Sequence, residues 1–261
     1  MSQMILYHGQ PNGPSLAVLA ALAECGLEAD CRPIDLLAGE RHALPGIAEG
    51  RARDMGVEGE GPVLVVDGEA MTESVFIAQY LDEVSGAGLQ PADPHAYWQM
   101  LMWCRRITER CAPAAAWLGC QGEAQARLAA MDDGAFAAIA GTIVSEDLRA
   151  RWTQIRAGDF PADATQDSKA KIAAAVAMVE DQLADGRDWL MGRFSIADLE
   201  TFAWLAGMAD IEPQAFADTP RAIGWLARMR RRPGVVAALA RASVDHPLRC
   251  WAPGPEINRW G

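Results

Sequence analysis

The sequence predicts a small mixed α/β unit followed by an all-helical region. Three observations carry that prediction. Over residues 1–85, short apolar segments bounded by turn residues alternate with helical patterns in the order β-α-β-(α)-β-β-α. Beyond residue 94 the strand signals almost vanish and helical stretches follow one another. The 261 residues are 51% hydrophobic and 22% charged, which is ample apolar material for a core and excludes a disordered chain.

Taken in order, residues 5–8 (ILYH) form the first strand candidate. Asn12-Gly13-Pro14 then turns into a helix with proline in its first turn and an apolar pattern from Leu16 to Leu27. Cys31 to Leu36 is a second strand, and residues 38–61, rich in Gly, Glu and Arg, are a loop with a short helix. Pro62 opens a third strand through Val66, Asp67-Gly68 signals a hairpin, and Glu69 to Met71 pairs back. Thr72-Glu73-Ser74 leads into a helix over Val75 to Val84. The Gly- and Pro-containing segment 86–94 is a linker, which divides the chain into domains 1–85 and 95–261. Helices are expected over Tyr97–Trp117, Glu123–Ile139 or beyond, Ile143–Arg156, Ser168–Ala184, Ser195–Met208 and Pro220–Arg231.

Composition narrows the function classes. No apolar run approaches the roughly 20 residues of a membrane span, and the N-terminus MSQMILYHGQ lacks a signal-peptide pattern. A soluble, cytoplasmic protein is expected, with its six scattered cysteines reduced and Cys104 and Cys111 on one helix face as small apolar residues. The four histidines have no short ligand spacing, so a zinc site is not expected. Of the formal net charge of −12, residues 1–90 carry −10, which repels nucleic acid and anionic membranes. The basic cluster Arg228, Arg230, Arg231 and Arg232 precedes Pro233, where cations favour a helix C-terminus.

The most specific stretch runs from Gly61-Pro62-Val63-Leu64 through Asp67-Gly68 to Glu73-Ser74. A proline opening a strand suits an edge or a cis turn, and a cis bond would leave the Gly61 backbone free to pair with an extended peptide. Glu73-Ser74 would open a helix whose free N–H groups favour an anion. Alone, the stretch also reads as a hairpin and an ordinary helix cap. A second motif is Phe194-Ser195-Ile196-Ala197-Asp198, a variant capping box with Ser195 capping and Asp198 reaching back.

With both motifs in this order, the chain resembles the glutathione S-transferase family. The resemblance implies a thioredoxin-like N-terminal domain and an all-α C-terminal domain, with glutathione as co-substrate and a homodimeric or heterodimeric assembly. It implies that the proline is cis, that Glu73 and Ser74 grip the γ-glutamyl end, and that Gly61 and Pro62 hold the cysteinyl backbone. Arg41 and His42 are the nearest cationic partners for the glycyl carboxylate. The Ser-x-Ala-Asp element caps a buried helix and serves folding.

Tyr7 to Leu27, Leu89 to Pro94, the Trp-rich helix that follows and Arg149 to Pro161 look, more narrowly, like the bacterial glutathione-dependent β-etherases. These cleave β-aryl ethers of lignin fragments by thiolate attack and phenolate release. The thiol needs a hydrogen-bond donor or helix N-terminus to ionise. Ser15, near the start of the first helix, is the candidate, with Asn12 beside it. Each has a structural alternative: a first-turn hydrogen bond for Ser15, a helix cap for Asn12.

Two departures stand out. Pro14 replaces the asparagine of the related Asn-Ser pair and carries no donor. The loop before Pro62 reads Gly56-Val57-Glu58-Gly59-Glu60-Gly61, placing two carboxylates beside a site for an anionic peptide. Trp98, Trp103 and Trp117 are candidates for the wall of an aromatic substrate pocket, or else core residues. Trp251 and Trp260 lie in a tail that could cover its mouth. The leading expectation is a β-aryl-ether-cleaving transferase. The alternatives are a catalytically silent subunit of a heterodimeric β-etherase and a transferase with another electrophilic substrate.

Overall fold

The first helix begins where the sequence supplies a turn and a proline. The structure, a computed structural model, describes residues 3–49 and 59–254. Strand β1 (Met4–His8) leads through a short loop to α1 (Gly13–Glu24), with Pro14 in its first turn, where the missing N–H costs nothing. Strand β2 (Asp30–Pro33) pairs parallel to β1, β3 (Val63–Val66) pairs antiparallel to β1, and β4 (Glu69–Met71) pairs antiparallel to β3. The sheet order is β2-β1-β3-β4. Its register aligns Leu6, Leu64 and Met71, with Leu6 and Leu64 fully buried. Asp67 (φ 49°) and Gly68 (φ 90°) both occupy the left-handed region, as a two-residue hairpin turn demands.

Helix α2 (Ser74–Ser85) closes this thioredoxin-like unit. The helical region contains α3 (Pro94–Arg106), α4 (Ala112–Gly119), α5 (Glu123–Ala129), α6 (Asp133–Thr142), α7 (Glu146–Ala157), α8 (Ala162–Gln182), α9 (Ile196–Leu205), α10 (Met208–Ile211), α11 (Pro220–Met229) and α12 (Pro233–Leu239). One hydrophobic cluster runs through both parts because α1 packs against α9 and α12 as well as α2.

Several sequence expectations are corrected in detail. Tyr97–Trp117 is a continuous helical path but carries a π-helical stretch over Ile107–Cys111 between α3 and α4. Glu123–Ile139 is two helices, because Asp132 accepts the Ala135 N–H at 2.8 Å and starts α6 anew. Helix α7 begins at Glu146, capped by Ser145, leaving Ile143 as a buried loop residue. The basic cluster is mostly a junction: α11 ends at Met229, and Pro233 starts α12, which the sequence reading did not predict. There Arg230 donates to the Ala206 carbonyl and Arg232 pairs with Glu24 of α1. Residues 50–58, which include Gly56 to Glu58 of the acidic loop, and Trp260 lie outside the described residues.

Ser195 and Asp198 form the expected capping box of α9. Cys104 and Cys111 are both buried, and burial pushes the Cys111 thiol up to about 12. Among the described residues, no helix is long and apolar enough to cross a membrane.

Candidate functional site

Four segments meet at the N-terminal end of α1. The first is the β1–α1 turn. Asn12 is the N-cap residue in extended backbone, yet its side chain makes no capping bond. Its Nδ2 donates instead to the Cys250 carbonyl at 3.4 Å. Ser15 is fully buried, and its Oγ accepts the Gly9 N–H at 3.0 Å. That bond ties the loop ahead of α1 to the helix.

The second segment is Glu60-Gly61-Pro62. The cis proline expected from the resemblance is not observed: the described residues contain no cis peptide bond. The Gly61 backbone is engaged within the chain. Its N–H donates to the Gly59 carbonyl and its own carbonyl accepts from Arg41 Nε, both at 2.9 Å. The two expected cations are therefore buried beside this turn, and His42 is bonded to Glu60. Glu60 Oε1 accepts from His42 Nε2 and from Trp152 Nε1 of α7, each at 2.8 Å. Trp152, which sequence reasoning did not single out, fixes the carboxylate from the helical region.

The third segment starts α2. Glu73 holds φ 69° and ψ 112°, a conformation rare for a side-chain-bearing residue and kept only where its surroundings impose it. Next to it, the buried Ser74 hydroxyl donates to Glu200 Oε2 at 2.7 Å. Trp204 Nε1 donates to the other oxygen at 2.6 Å. Burial pushes the Glu200 carboxyl up, against those two hydrogen bonds. Glu200 and Trp204 sit four apart on α9, a spacing visible in the sequence but carrying no signal of its own.

The fourth segment is the tail. Trp251, 4% exposed, stacks on Trp204 with centroids 6.2 Å apart and planes at 29°. Its seat is built in: a Cβ on Gly119 would overlap the indole. Two residues on, the Pro253 carbonyl accepts the Glu60 N–H at 3.3 Å. The tail thus does cover this end of the molecule, through Trp251.

Against the first and fourth of these segments lies a cleft of about 540 Å³, within the usual range for small-molecule sites. Leu36 and Leu37 line one side, Ala124 and Arg127 the other, and Val244 and Trp251 the tail side. Asp35, Glu40 and Glu123 face it as well, and Arg127 pairs with Asp35. This charge balance suits a neutral ligand better than an anion.

The three tryptophans proposed as a pocket wall do not converge on that cleft. Trp98 is 55% exposed and stacks on His95, and with Trp103 it lines an open outer groove. Trp103 Nε1 bonds Thr201 at 2.9 Å. Trp117 is buried against Phe160 and the Arg151 guanidinium. For Trp103 and Trp117 the core reading is the one the packing matches.

The chain has recognisable relatives. Residues 2–83 match the description "Glutathione S-transferase, N-terminal domain", and residues 156–238 match a domain of unknown function, DUF7962. Protein LigF from Sphingobium sp. strain SYK-6 is 29% identical over 256 residues, covering 94% of this chain and 96% of its own. The crystal structure of the β-etherase LigF superposes with a TM-score of 0.81 over 92% of this chain and all of that one, at 27% identity. A Pseudomonas fluorescens glutathione transferase family member, solved with two glutathione molecules, gives 0.64 at 19% identity over 91% of this chain and 92% of that one, a likeness of fold alone. The chain thus carries a glutathione S-transferase N-terminal domain at its head and is similar to LigF along nearly its whole length.

Proposed function

We propose that the chain is a glutathione-dependent transferase that cleaves an aromatic β-aryl ether. The glutathione thiolate attacks the carbon bearing the aryl oxygen, the carbon–oxygen bond breaks, and phenolate leaves as a thioether forms. The observation that carries this reading is the LigF superposition at 0.81, well above the 0.64 of the Pseudomonas fluorescens transferase. The start of α2 supports it: the strained Glu73 and the N-terminal end of the helix at Ser74 suit a γ-glutamyl carboxylate. The 540 Å³ cleft beside Gln10 and Trp251 is the place for the aromatic acceptor. In this reading Ser15 donates to the sulfur while its oxygen holds Gly9.

The assembly is a pair of glutathione-transferase-fold chains in a reducing cytoplasm. Phe76 on α2 and Trp98 on α3 are more than half exposed, apolar surface that a second chain would cover. The domains divide at the 86–94 linker.

A second reading has its own support. Pro14, the Arg41-bound Gly61 carbonyl and the Glu60-bound His42 describe a peptide site whose groups are already engaged. A silent subunit completing a heterodimer fits them. Calorimetric titration of the full chain with glutathione separates the two. Binding at micromolar to low-millimolar concentration, with aryl-ether turnover that falls about tenfold or more in Ser15→Ala, supports the enzyme. No heat at millimolar glutathione, with activity only on adding a related chain that carries the Asn-Ser pair, supports the silent subunit.

A further inference from the structure

Three residues from distant parts of the sequence line one small cavity, and each carries a buried polar atom: Asn12 Oδ1, Glu60 Oε2 and Trp251 Nε1. Each residue is at most 6% exposed, and none of the three atoms has a hydrogen-bond partner among the described residues. Native interiors pair such atoms, so three together point to a ligand or solvent oxygen.

Their orientations are fixed by other contacts. The Asn12 amide must turn its nitrogen to the Cys250 carbonyl, which leaves Oδ1 toward the cavity. Glu60 spends Oε1 on His42 and Trp152, which leaves Oε2. The Trp251 ring is held by Trp204 and by the close approach at Gly119. The cavity measures about 20 Å³, room for a single oxygen atom, and it shares Gln10, Leu36 and Trp251 with the 540 Å³ cleft.

The set consists of two acceptors and one donor. A neutral O–H group donates to an acceptor and takes the indole N–H on its lone pair. An anion has no hydrogen to offer and meets the Glu60 charge, and an ammonium has no lone pair for Trp251. We propose that Asn12, Glu60 and Trp251 form a subsite for one neutral hydroxyl oxygen, supplied by water or by the hydroxyl of a ligand lying in the cleft. The subsite rests on the transferase reading only for what that cleft ligand is, and glutathione takes no part in its test.

The test pairs a high-resolution crystal structure of the full chain with titrations of phenol, anisole and benzoate. In both supporting outcomes benzoate binds more weakly than phenol. If the oxygen is the ligand's, phenol binds about tenfold more tightly than anisole, one hydrogen bond's worth. Trp251→Phe, which keeps the ring and removes the N–H, then weakens phenol severalfold, since the hydroxyl oxygen loses the donor it accepts from. If the oxygen is water's, density within hydrogen-bond distance of all three atoms appears without ligand, and phenol and anisole bind alike. Absence of both the density and the phenol preference overturns the subsite, as does tighter binding of benzoate than of phenol. None of these results depends on glutathione binding, so the transferase reading and this one can fail separately.

Discussion

Asp198 on α9 and Glu60 ahead of β3 are both buried carboxylates, and they are used in opposite ways. Asp198 accepts four hydrogen bonds: from Leu190 N and Trp225 Nε1 at 3.0 Å, and from Ser195 N and Oγ at 3.1 Å. Both its oxygens are spent inside the fold. Glu60 places both of its bonds on one oxygen and turns the other to a cavity beside the α1 N-terminus. A saturated buried acid holds structure together, whereas one left half-open at a cleft is poised to meet something else. The contrast separates a folding motif from a site in a molecule where both carry acids of similar burial.

The largest effect belongs to the saturated side. Asp198→Ala strands the Trp225 indole and the Leu190 and Ser195 amides, and should cost about 4 kcal/mol in urea denaturation at pH 7, against about 2 kcal/mol for Glu60→Ala. Titration sharpens this. Burial raises the Asp198 carboxyl to about 6, above its value in the unfolded chain. Between about pH 4 and 6 the unfolded state releases this proton while the folded state keeps it, so rising pH erodes the Asp198 contribution until it levels off. The stability gap between the wild-type chain and Asp198→Asn should therefore be widest below about pH 4 and narrow by about 2 kcal/mol between pH 4 and pH 6. A gap that widens over that interval would show Asp198 ionised and paired in the folded state.

A smaller effect tests whether the tail belongs to the open side. Gly119→Ala drives a methyl group into the Trp251 ring. Overpacking of that kind costs about 2 kcal/mol if the tail stays seated. If it yields, the stability loss is slight and the chain becomes cleavable by trypsin after Arg249. Protection at Arg249 with unchanged stability would show that the ring does not occupy this seat.

The contrast was only half legible in the sequence. The Ser195–Asp198 box is local: four consecutive residues contain both cap and partner, so spacing alone announces it. The hairpin at Asp67-Gly68 is legible for the same reason. The open side is assembled from residues 12, 60, 152 and 251, and no periodicity links positions so far apart. The motif around Pro62 marked the right turn, but the partners that engage Gly61 there, Arg41 and the Gly59 carbonyl, lie outside it. The tryptophans were read as a group, as pocket wall or as core. Their helical spacing could not distinguish Trp117, packed on Phe160, from Trp98, which faces outward.

The smallest effect compares two helix caps. Asp132 starts α6 and accepts the Ala135 N–H at 2.8 Å, so Asp132→Ala should lose about 1 kcal/mol, as an N-cap substitution ordinarily does. Asn12 starts α1 but does not cap it. Its nitrogen makes one long bond to the tail and its oxygen faces the cavity. Asn12→Ala should therefore change stability by less than about 0.5 kcal/mol, since no capping bond is lost. Thermal and urea denaturation of the two variants side by side checks the difference. Equal losses would mean that Asn12 caps α1 in solution with its oxygen turned to the helix, which would close the cavity's second acceptor and place α1 with α6 among the ordinary helix starts.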